Sequence, residues 1–270
     1  MDVIGAGALK KVVLARAVRA VGAEPFDVGL VLRHLRSAHP DSFVFGCWRG
    51  GRVFVGASPE RLVRLDGREV VASSLAGSAE RGATPEEDAW LAAQLVASPK
   101  DAGEHAIVLR ALRDALSEFC DDVTSAAEPS LLTLRHVHHL HTVVRARLHS
   151  GRSLLELVGR LHPTPAVGGA PRDAALAFIH AHEQLDRGWY AAPVGWLQRD
   201  RGEFAVALRS GLVDGDSATL FAGCGVVHDS EPELELAESV VKLRSMLTAL
   251  AASEGVSEPA PGLADVGVAP

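Results

Sequence analysis

Residues 43–57 read FVFGCWRGGRVFVGA, and residues 61–73 read RLVRLDGREVVAS. Each stretch holds a glycine-containing turn, Arg49-Gly50-Gly51 or Asp66-Gly67, between runs of β-branched and aromatic residues. Such turns between apolar runs are signals for β-hairpins. The sequence therefore predicts two antiparallel hairpins, with strands at Phe43–Trp48 and Arg52–Ala57, and at Arg61–Leu65 and Glu69–Ser73.

Strand and helix patterns alternate in groups along the rest of the chain. Helix starts are predicted where a capping residue precedes a proline, at Thr84-Pro85 and Ser98-Pro99. Because strands come as adjacent hairpins with helices between the groups, we predict an α+β layered architecture with antiparallel-rich sheets. The other predicted strands are Lys11–Val18, Leu131–His138, Tyr190–Gln198, Glu203–Val213 and Ala218–Ala222, and the predicted helices are 29–38, 84–96, 98–119, 153–161, 171–183 and one from Glu231.

Length and composition favour one globular domain. The chain has 270 residues, 47% of them apolar, which is enough for a sizeable core. We assign residues 1–252 to this domain and expect 253–270, rich in Ala, Gly, Pro and Glu, to form a disordered tail.

Charge and cysteine content narrow the class of partner and the cellular compartment. A net charge of -7 without a lysine-rich block argues against nucleic-acid or anionic-membrane binding. Three widely spaced cysteines encode neither a disulfide framework nor a thiolate zinc site, so we expect a reducing, cytoplasmic setting. We find no secretory leader pattern and no apolar run of membrane-spanning length.

Residues 161–195 are rich in proline, glycine and polar side chains. Residues 161–172 read LHPTPAVGGAPR, and Glu183, Arg187-Gly188-Trp189-Tyr190 and Gly195-Trp196 follow. Three prolines and two adjacent glycines fix some backbone angles and free others, which is typical of a substrate-facing loop.

Two predicted helices carry acidic residues on one face. Asp101 and Glu104 are three residues apart in the first helix, and Glu235 and Glu238 are three apart in the second, with Lys242 one turn later. Carboxylates brought together repel unless a cation lies between them, and hard oxygen ligands suit Mg²⁺ better than zinc. The alternative is a solvated acidic face, which spacing alone does not exclude.

Several single features carry two interpretations each. Gly223 and Gly225 end a predicted strand and either expose backbone N–H groups to an anion or form an ordinary tight turn. Arg209, within an apolar strand pattern, either clamps a carboxylate or faces solvent. Glu60 follows a proline after a strand and either enters a cleft or caps a turn. The four histidines at 136, 138, 139 and 141 alternate between strand faces, so a zinc site is not predicted.

These motifs together resemble the chorismate-utilising enzymes, most closely the isochorismate synthases. The resemblance spans roughly Lys11 to Leu250 and rests on ordered landmarks. They are KVVLAR at 11–16, SPERL at 58–62, LAGS at 75–78, KDAGEH at 100–105, HLHT at 139–142, the 161–195 stretch, ALRS at 207–210, AGCG at 222–225 and the acidic segment 235–242.

The resemblance implies a chorismate-binding fold, an α/β/β/α sandwich, with a shortened N-terminal part. Only ten residues precede Lys11, whereas family members usually carry roughly a hundred before the lysine-bearing strand. The implied reaction is a Mg²⁺-dependent addition of water at C2 of chorismate with loss of the C4 hydroxyl, giving isochorismate for menaquinone or siderophore biosynthesis. We expect a cytoplasmic monomer whose partner is the small molecule chorismate.

The resemblance also implies residue roles. Lys11 matches the general base that activates water, and Glu60 matches the acid that protonates the departing hydroxyl. Such a lysine must be partly neutral and such a carboxyl group protonated near neutral pH, so both need burial. Glu104 and Glu238 match metal ligands, Asp101 and Glu235 match supporting acids, and the matching substrate-binding positions are Ser78, His139, Ala166, Tyr190, Arg209, Gly223, Gly225 and Lys242.

Three alternatives to an isochorismate synthase have to be considered, and the sequence disfavours the first of them. Pro165-Ala166-Val167 resembles the water-using rather than the ammonia-using members, the anthranilate and aminodeoxychorismate synthases. Salicylate synthases keep a similar lysine and acid but also eliminate pyruvate. A catalytically inactive relative that binds chorismate-like ligands or partner proteins is the third alternative.

Overall fold

The computed structural model describes residue 4 and residues 7–255 of the chain. The predicted tail falls mostly outside this range, and the last helix ends at Ser253. The strands are β1 (Lys11–Val21), β2 (Phe43–Arg49), β3 (Arg52–Ser58), β4 (Arg61–Asp66), β5 (Glu69–Glu80), β6 (Cys120–Ser125), β7 (Ser130–Thr133), β8 (Val137–Leu148), β9 (Gly169–Ala170), β10 (Pro193–Leu197), β11 (Arg201–Val206), β12 (Ser210–Asp214) and β13 (Ser217–Val226). The helices are α1 (Val28–Ala38), α2 (Pro85–Ala97), α3 (Pro99–Ser117), α4 (Leu154–Leu161), α5 (Arg172–His182) and α6 (Pro232–Ser253).

The strands form two sheets. Sheet one has the order β2-β3-β12-β13-β1-β9, and sheet two has the order β10-β11-β4-β5-β8-β6, with β7 also paired to β8. The pairings in the described part of the chain are all antiparallel. The predicted antiparallel-rich α+β architecture is therefore confirmed.

Helices cover both sheets. Buried side chains of α1 and α6, such as Leu35 and Met246, pack with sheet one. Buried side chains of α3 and α4, such as Leu116 and Leu157, share a second cluster with residues of both sheets. This arrangement gives the α/β/β/α sandwich that the family resemblance implies.

The two predicted hairpins are present, but they lie in different sheets. β2 pairs with β3 from Phe43↔Ser58 to Arg49↔Arg52, and Gly50 and Gly51 take positive φ angles of 57° and 80° in the turn. β4 pairs with β5 around Gly67, at φ 62°. The short connection through Pro59 and Glu60 must therefore cross from sheet one to sheet two.

A second crossing corrects the predicted strand Glu203–Val213. The chain forms β11 up to Val206, where it pairs with β4 in sheet two, and then β12 from Ser210, where it pairs with β3 in sheet one. Arg209 lies in the link with φ at 50°, a conformation that interrupts a strand. The prediction was wrong because an apolar alternating pattern does not show that a chain changes sheets.

Two other predicted strands need correction. Leu131–His138 is not one strand, since a turn closed by the Leu134 N–H donating to the Val137 carbonyl at 2.9 Å separates β7 from β8. Tyr190–Gln198 begins only at Pro193, because Ala191 takes φ 62°.

The helix-start predictions are confirmed by their caps. The side chain of Thr84 accepts from the Glu87 N–H, and that of Ser98 accepts from the Asp101 N–H, both at 3.2 Å. Ser153 and Glu156 form a reciprocal capping box at the start of α4. In the described part of the chain, no helix combines the length and the apolar character needed to cross a membrane.

Two leucines on helices of sheet two test the role of core burial. Leu116 is fully buried, whereas Leu155 is 54% exposed. We expect Leu116→Ala to lower the free energy of unfolding by about 2–5 kcal/mol, because it removes apolar contacts and leaves a cavity. The control Leu155→Ala should change it by less than about 0.5 kcal/mol. Urea denaturation followed by circular dichroism measures both, and equal losses would contradict this assignment of the core.

Candidate active site

A polar pocket lies beside the two crossings between the sheets. Glu60 of the first crossing and Arg209 of the second both line it. Twelve of the fourteen site residues predicted from the sequence line this pocket, namely Lys11, Glu60, Ser78, Glu104, His139, Ala166, Tyr190, Arg209, Gly223, Gly225, Glu238 and Lys242. Residues far apart in the chain therefore converge, although their chemical roles stay predictions.

Lys11 begins β1 and is almost completely buried. Its side chain is 1% exposed, and its Nζ lies 2.8 Å from Oε1 of Glu104 on α3. A buried ammonium group needs such a partner, since an uncompensated charge in a poorly solvated interior is strongly destabilising. The ion pair also holds the amino group at the pocket wall.

Two glycines make room for this lysine. A Cβ at Gly225 would lie 2.6 Å from Oε1 of Glu104 and 2.7 Å from Cε of Lys11. At Gly169, with φ at 135°, a Cβ would lie 2.3 Å from the Lys11 carbonyl oxygen. Real Cβ atoms do not approach so closely, so Gly169 leaves room for the backbone of Lys11, and Gly225 leaves room for its side chain and for Glu104.

Glu60 is a buried carboxyl group on the first crossing. It is 4% exposed, and its backbone N–H donates to the Ser58 Oγ at 3.2 Å. Burial raises the pKa of Glu60 to about 7, although the positive charges of Lys11, Arg209 and Lys242 and a hydrogen bond from Thr164 act in the opposite direction. Near neutral pH this carboxyl group therefore holds its proton much of the time.

His139 holds Arg209 at the second crossing. Arg209 Nη2 donates to His139 Nε2 at 3.2 Å, and His139 Nδ1 lies 3.1 Å from the Gly77 carbonyl and 3.0 Å from Ser78 Oγ. This pattern fits a neutral imidazole protonated at Nδ1. Burial and the charge of Arg209 lower the pKa of His139 to about 3, which keeps the ring neutral.

Ser78 reaches the pocket through an irregularity in β5. The register between β5 and β8 shifts between Ala76 and Ser78, and Gly77 between them has φ 78°. Such a bulge re-aims the following side chain. On β8, His138 instead bonds Asp88 on α2 at 2.9 Å, so the predicted division of the histidines between faces is confirmed for these neighbours.

Lys242 and Glu238 lie one turn apart on α6. Their side chains form an ion pair, and Lys242 Nζ also donates to the Gly223 carbonyl at 3.0 Å. Burial alone would raise the pKa of Glu238, but the charge and hydrogen bond of Lys242 outweigh it, so the pKa lies below its usual range. Each glutamate predicted as a metal ligand is therefore paired with a lysine.

The two predicted supporting acids lie outside the pocket lining. Glu235 is paired with Lys100 at 2.6 Å, and Asp101 packs near Gly77. Burial raises the pKa of Asp101, and the nearby charges of Glu104 and Glu238 raise it further. Their supporting role stays a prediction.

The donor set of the pocket suits a hard divalent cation. Mg²⁺ is typically held by one or two carboxylates, with water and substrate oxygens completing its shell. Glu104 and Glu238 supply two such carboxylates to one pocket. Within residue 4 and residues 7–255, no three His, Cys, Asp or Glu side chains converge as a ligand set, so the protein alone would supply only part of the coordination.

The loop after α4 packs against the strand that carries Lys11. The Val13 N–H donates to the Gly168 carbonyl at 2.9 Å, and the short strand β9 pairs with Lys11 and Val12. Within the loop, the Ala166 N–H donates to Thr164 Oγ1 at 3.2 Å. Ala166 and Lys11 consequently line the same pocket.

Tyr190 is present in the pocket, and Arg187 was missed by the sequence prediction. Tyr190 stacks on Phe221 with ring centroids 5.3 Å apart, and burial raises the pKa of its hydroxyl group. Arg187 also lines the pocket. The signal that could have identified Arg187 is the acidic Glu183 four residues earlier, although residues 183–187 follow the end of α5 and are not helical.

The fold and the pocket together define an α+β sandwich protein with a buried pocket lined by charged side chains. The chain belongs to the chorismate binding enzyme family, whose model matches residues 1–251.

Named relatives show the same similarity. The chain is 48% identical to the salicylate biosynthesis isochorismate synthase of Pseudomonas aeruginosa, covering 93% of this chain and 53% of the relative. It is 44% identical to the isochorismate synthase MenF of Bacillus subtilis, with coverages of 89% and 51%. The structure of the menaquinone-specific isochorismate synthase MenF from Escherichia coli superposes with a TM-score of 0.84 at 32% identity, covering 92% of this chain and 58% of that one. The chain thus spans about half the length of the curated relatives it matches.

The raised pKa of Glu60 predicts a pH-dependent stability. Above about pH 4.5 the unfolded chain loses this proton, whereas the folded chain keeps it until about pH 7. Stability that is fully present below pH 4.5 should therefore be lost as the pH rises to about 7, by about 3 kcal/mol at about 1.4 kcal/mol per pKa unit.

Glu60→Gln should remove this part of the pH dependence. Urea unfolding of the wild type and the variant between about pH 4.5 and 8 measures the difference, with the exposed Glu69→Gln as the control that should follow the wild type. Parallel pH profiles for the wild type and Glu60→Gln would contradict the raised pKa.

Proposed function

We propose that this chain is an isochorismate synthase, which converts chorismate to isochorismate with Mg²⁺ by adding water at C2 and releasing the C4 hydroxyl as water. The observation that carries the proposal is the burial of Lys11 and Glu60 in one pocket lined by Arg209 and Lys242. The names of the similar relatives support the same reaction. The product would enter menaquinone or siderophore biosynthesis.

Lys11 is the proposed general base. Its Nζ lies at the pocket wall beside the loop that holds Ala166, so a water molecule between them would be in reach of the amine. To act as a base the amine must be neutral, a form that metal binding by its partner Glu104 would favour. Lys11 then takes a proton from this water as the oxygen bonds to C2 and the two ring double bonds shift toward C4. Because Gly225 has no Cβ, nothing at that position pushes the amine of Lys11 aside.

Glu60 is the proposed general acid. Its pKa of about 7 suits proton donation near neutral pH, because a general acid works best when its pKa is near the working pH. Glu60 gives its proton to the C4 hydroxyl as the C4–O bond breaks. Water is consumed at C2 and formed at C4, so the reaction is an isomerisation that needs no redox partner.

The substrate carboxylates would be bound by the cations of the pocket. Arg209 is held by His139, and its guanidinium can bind a carboxylate through two parallel hydrogen bonds. Lys242, held by the Gly223 carbonyl, supplies a second positive charge. Because His139 stays neutral, it positions Arg209 without adding charge of its own.

Glu104 and Glu238 would hold the metal ion. Mg²⁺ bound there would neutralise and orient a substrate carboxylate. Before metal binding, the lysine partners of these glutamates balance their charges.

The direct test is incubation of the purified protein with chorismate and Mg²⁺, with products resolved by chromatography. Isochorismate as the sole product supports the proposal. Salicylate with pyruvate would identify a salicylate synthase instead, and absence of turnover by the folded protein would indicate an inactive relative.

Removal of the base should abolish water addition. We expect Lys11→Ala to lower the rate of isochorismate formation by at least about 100-fold, the usual lower bound for a general base. The neighbouring Lys10→Ala is the matched control, since Lys10 is exposed and should be dispensable. Retained turnover in a folded Lys11→Ala variant, checked by thermal unfolding, would remove the role assigned to Lys11.

Loss of either metal-binding glutamate should weaken Mg²⁺ binding. We expect Glu104→Gln and Glu238→Gln each to raise the dissociation constant for Mg²⁺ by at least about 10-fold in calorimetric titrations, because each removes a charged ligand. Glu233→Gln, an exposed position on the same helix as Glu238, is the control. Unchanged Mg²⁺ affinity in both variants would refute this ligand set.

A further inference from the structure

An ion pair between Glu183 and Arg187 closes the open edge of β1. On one side β1 pairs with β13 along most of its length, but on the other side β9 covers only Lys11 and Val12. Beyond that point the Ala15 N–H donates to Glu183 Oε2 at 2.8 Å, and Arg187 Nη2 donates to the Val13 carbonyl at 2.8 Å. The two side chains thus replace a neighbouring strand.

The same guanidinium also binds the loop that carries Ala166. Arg187 Nη1 donates to the Val167 carbonyl at 3.0 Å, while Nε and Nη2 contact the two carboxylate oxygens of Glu183 at 2.5 and 2.6 Å. One arginine therefore connects the strand of Lys11 to the loop of Ala166. Its planar set of donors permits this arrangement, which a lysine cannot reproduce.

Burial distinguishes this pair from ordinary surface ion pairs. The side chains of Glu183 and Arg187 are 5% and 20% exposed, whereas those of Arg152 and Glu156, which have the same spacing of four residues, are 46% and 43% exposed. Exposed pairs contribute little, but a largely buried pair with several further hydrogen bonds fixes the groups that it contacts. Loss of one partner would leave buried polar groups unsatisfied.

We propose that Arg187 and Glu183 are positioning residues for the reaction proposed above: they fix the Ala166 loop relative to Lys11 and thereby set where water is held. The inference rests on that proposed function for its kinetic consequence only. Its structural part, the coupling of β1 to the loop, can be measured in the absence of turnover.

The experiment compares Arg187→Met and Glu183→Gln with the matched control Arg152→Met. Amide hydrogen exchange is followed by NMR at Ala15, Val13 and Gly168, whose N–H groups lie in or beside the clamp. We expect Arg187→Met to speed exchange at Val13 and Gly168 by at least about 10-fold, with core amides of β13 unchanged. Without the hydrogen bonds of Arg187, local opening of the loop costs less free energy, so these amides are exposed more often. Glu183→Gln should loosen the loop but retain an acceptor for the Ala15 N–H.

Kinetics separates positioning from simple structural support. We expect kcat for isochorismate formation to fall about 100-fold in Arg187→Met, since small misplacement of reacting groups has effects of this size. KM for chorismate should change by less than about threefold, because Arg209 and Lys242 are untouched. Arg187→Lys should not restore kcat, because one ammonium cannot bind both carbonyls and the carboxylate.

Each outcome decides one part of the inference. Exchange at the three amides that matches Arg152→Met overturns the clamp, as does loosening spread equally over the whole protein. Wild-type kcat in a variant with a loosened loop overturns the positioning role. If the wild type does not turn over chorismate but Arg187→Met loosens the loop locally, the proposed function fails while the clamp stands. If Arg187→Met does not fold, Glu183→Gln provides the same comparison.

Discussion

The pocket depends on one constraint, that a charge removed from water must meet an opposite charge. Lys11 is nearly inaccessible, and Glu104 on a distant helix supplies its partner. Lys242 and Glu238 repeat the arrangement on α6. The first pair joins β1 to α3, whereas the second lies within α6, which Lys242 joins to β13 through the Gly223 carbonyl.

Other polar groups of the pocket satisfy the same constraint by staying neutral. Burial favours the protonated carboxyl of Glu60 and the neutral ring of His139. One pocket therefore contains Glu238, whose ionised form Lys242 favours, and Glu60, whose protonated form burial favours. Separation of equivalent groups by environment is how a site obtains both acid and base functions at one pH.

Local chemistry made much of the fold predictable. Glycine turns such as Gly50-Gly51 located the hairpins, and capping residues such as Ser98 located helix starts. The failures occurred where tertiary structure decides: nothing in residues 203–213 shows that the chain leaves one sheet for the other near Arg209. A stretch of alternating apolar and polar residues has the same sequence pattern whether the strand continues in one sheet or the chain crosses to the other sheet.

The residues of the site could be proposed from motifs, but their pairings could not. The family resemblance supplied Lys11 and Glu104 separately, whereas their 2.8 Å contact arises from a strand and a helix more than ninety positions apart. Arg187 lies in the stretch 161–195 noted from the sequence, but no role was predicted for it, because hydrogen bonds to backbone carbonyls carry no sequence signature. Glu235 was predicted as a site residue, but its ion-pair partner Lys100 became evident only in the three-dimensional structure.

Gly169 and Gly225, which pack against Lys11, limit the substitutions that this pocket can accept. A side chain at Gly169 would collide with the backbone of Lys11, and one at Gly225 would displace the side-chain ends of Lys11 and Glu104, so both positions stay small while that ion pair is kept. Variation in the shape of the pocket is then left to positions such as Ala166 and Leu75, which line it with side chains of changeable size. The pocket thus combines positions that the Lys11–Glu104 pair restricts with positions that substitution can reshape.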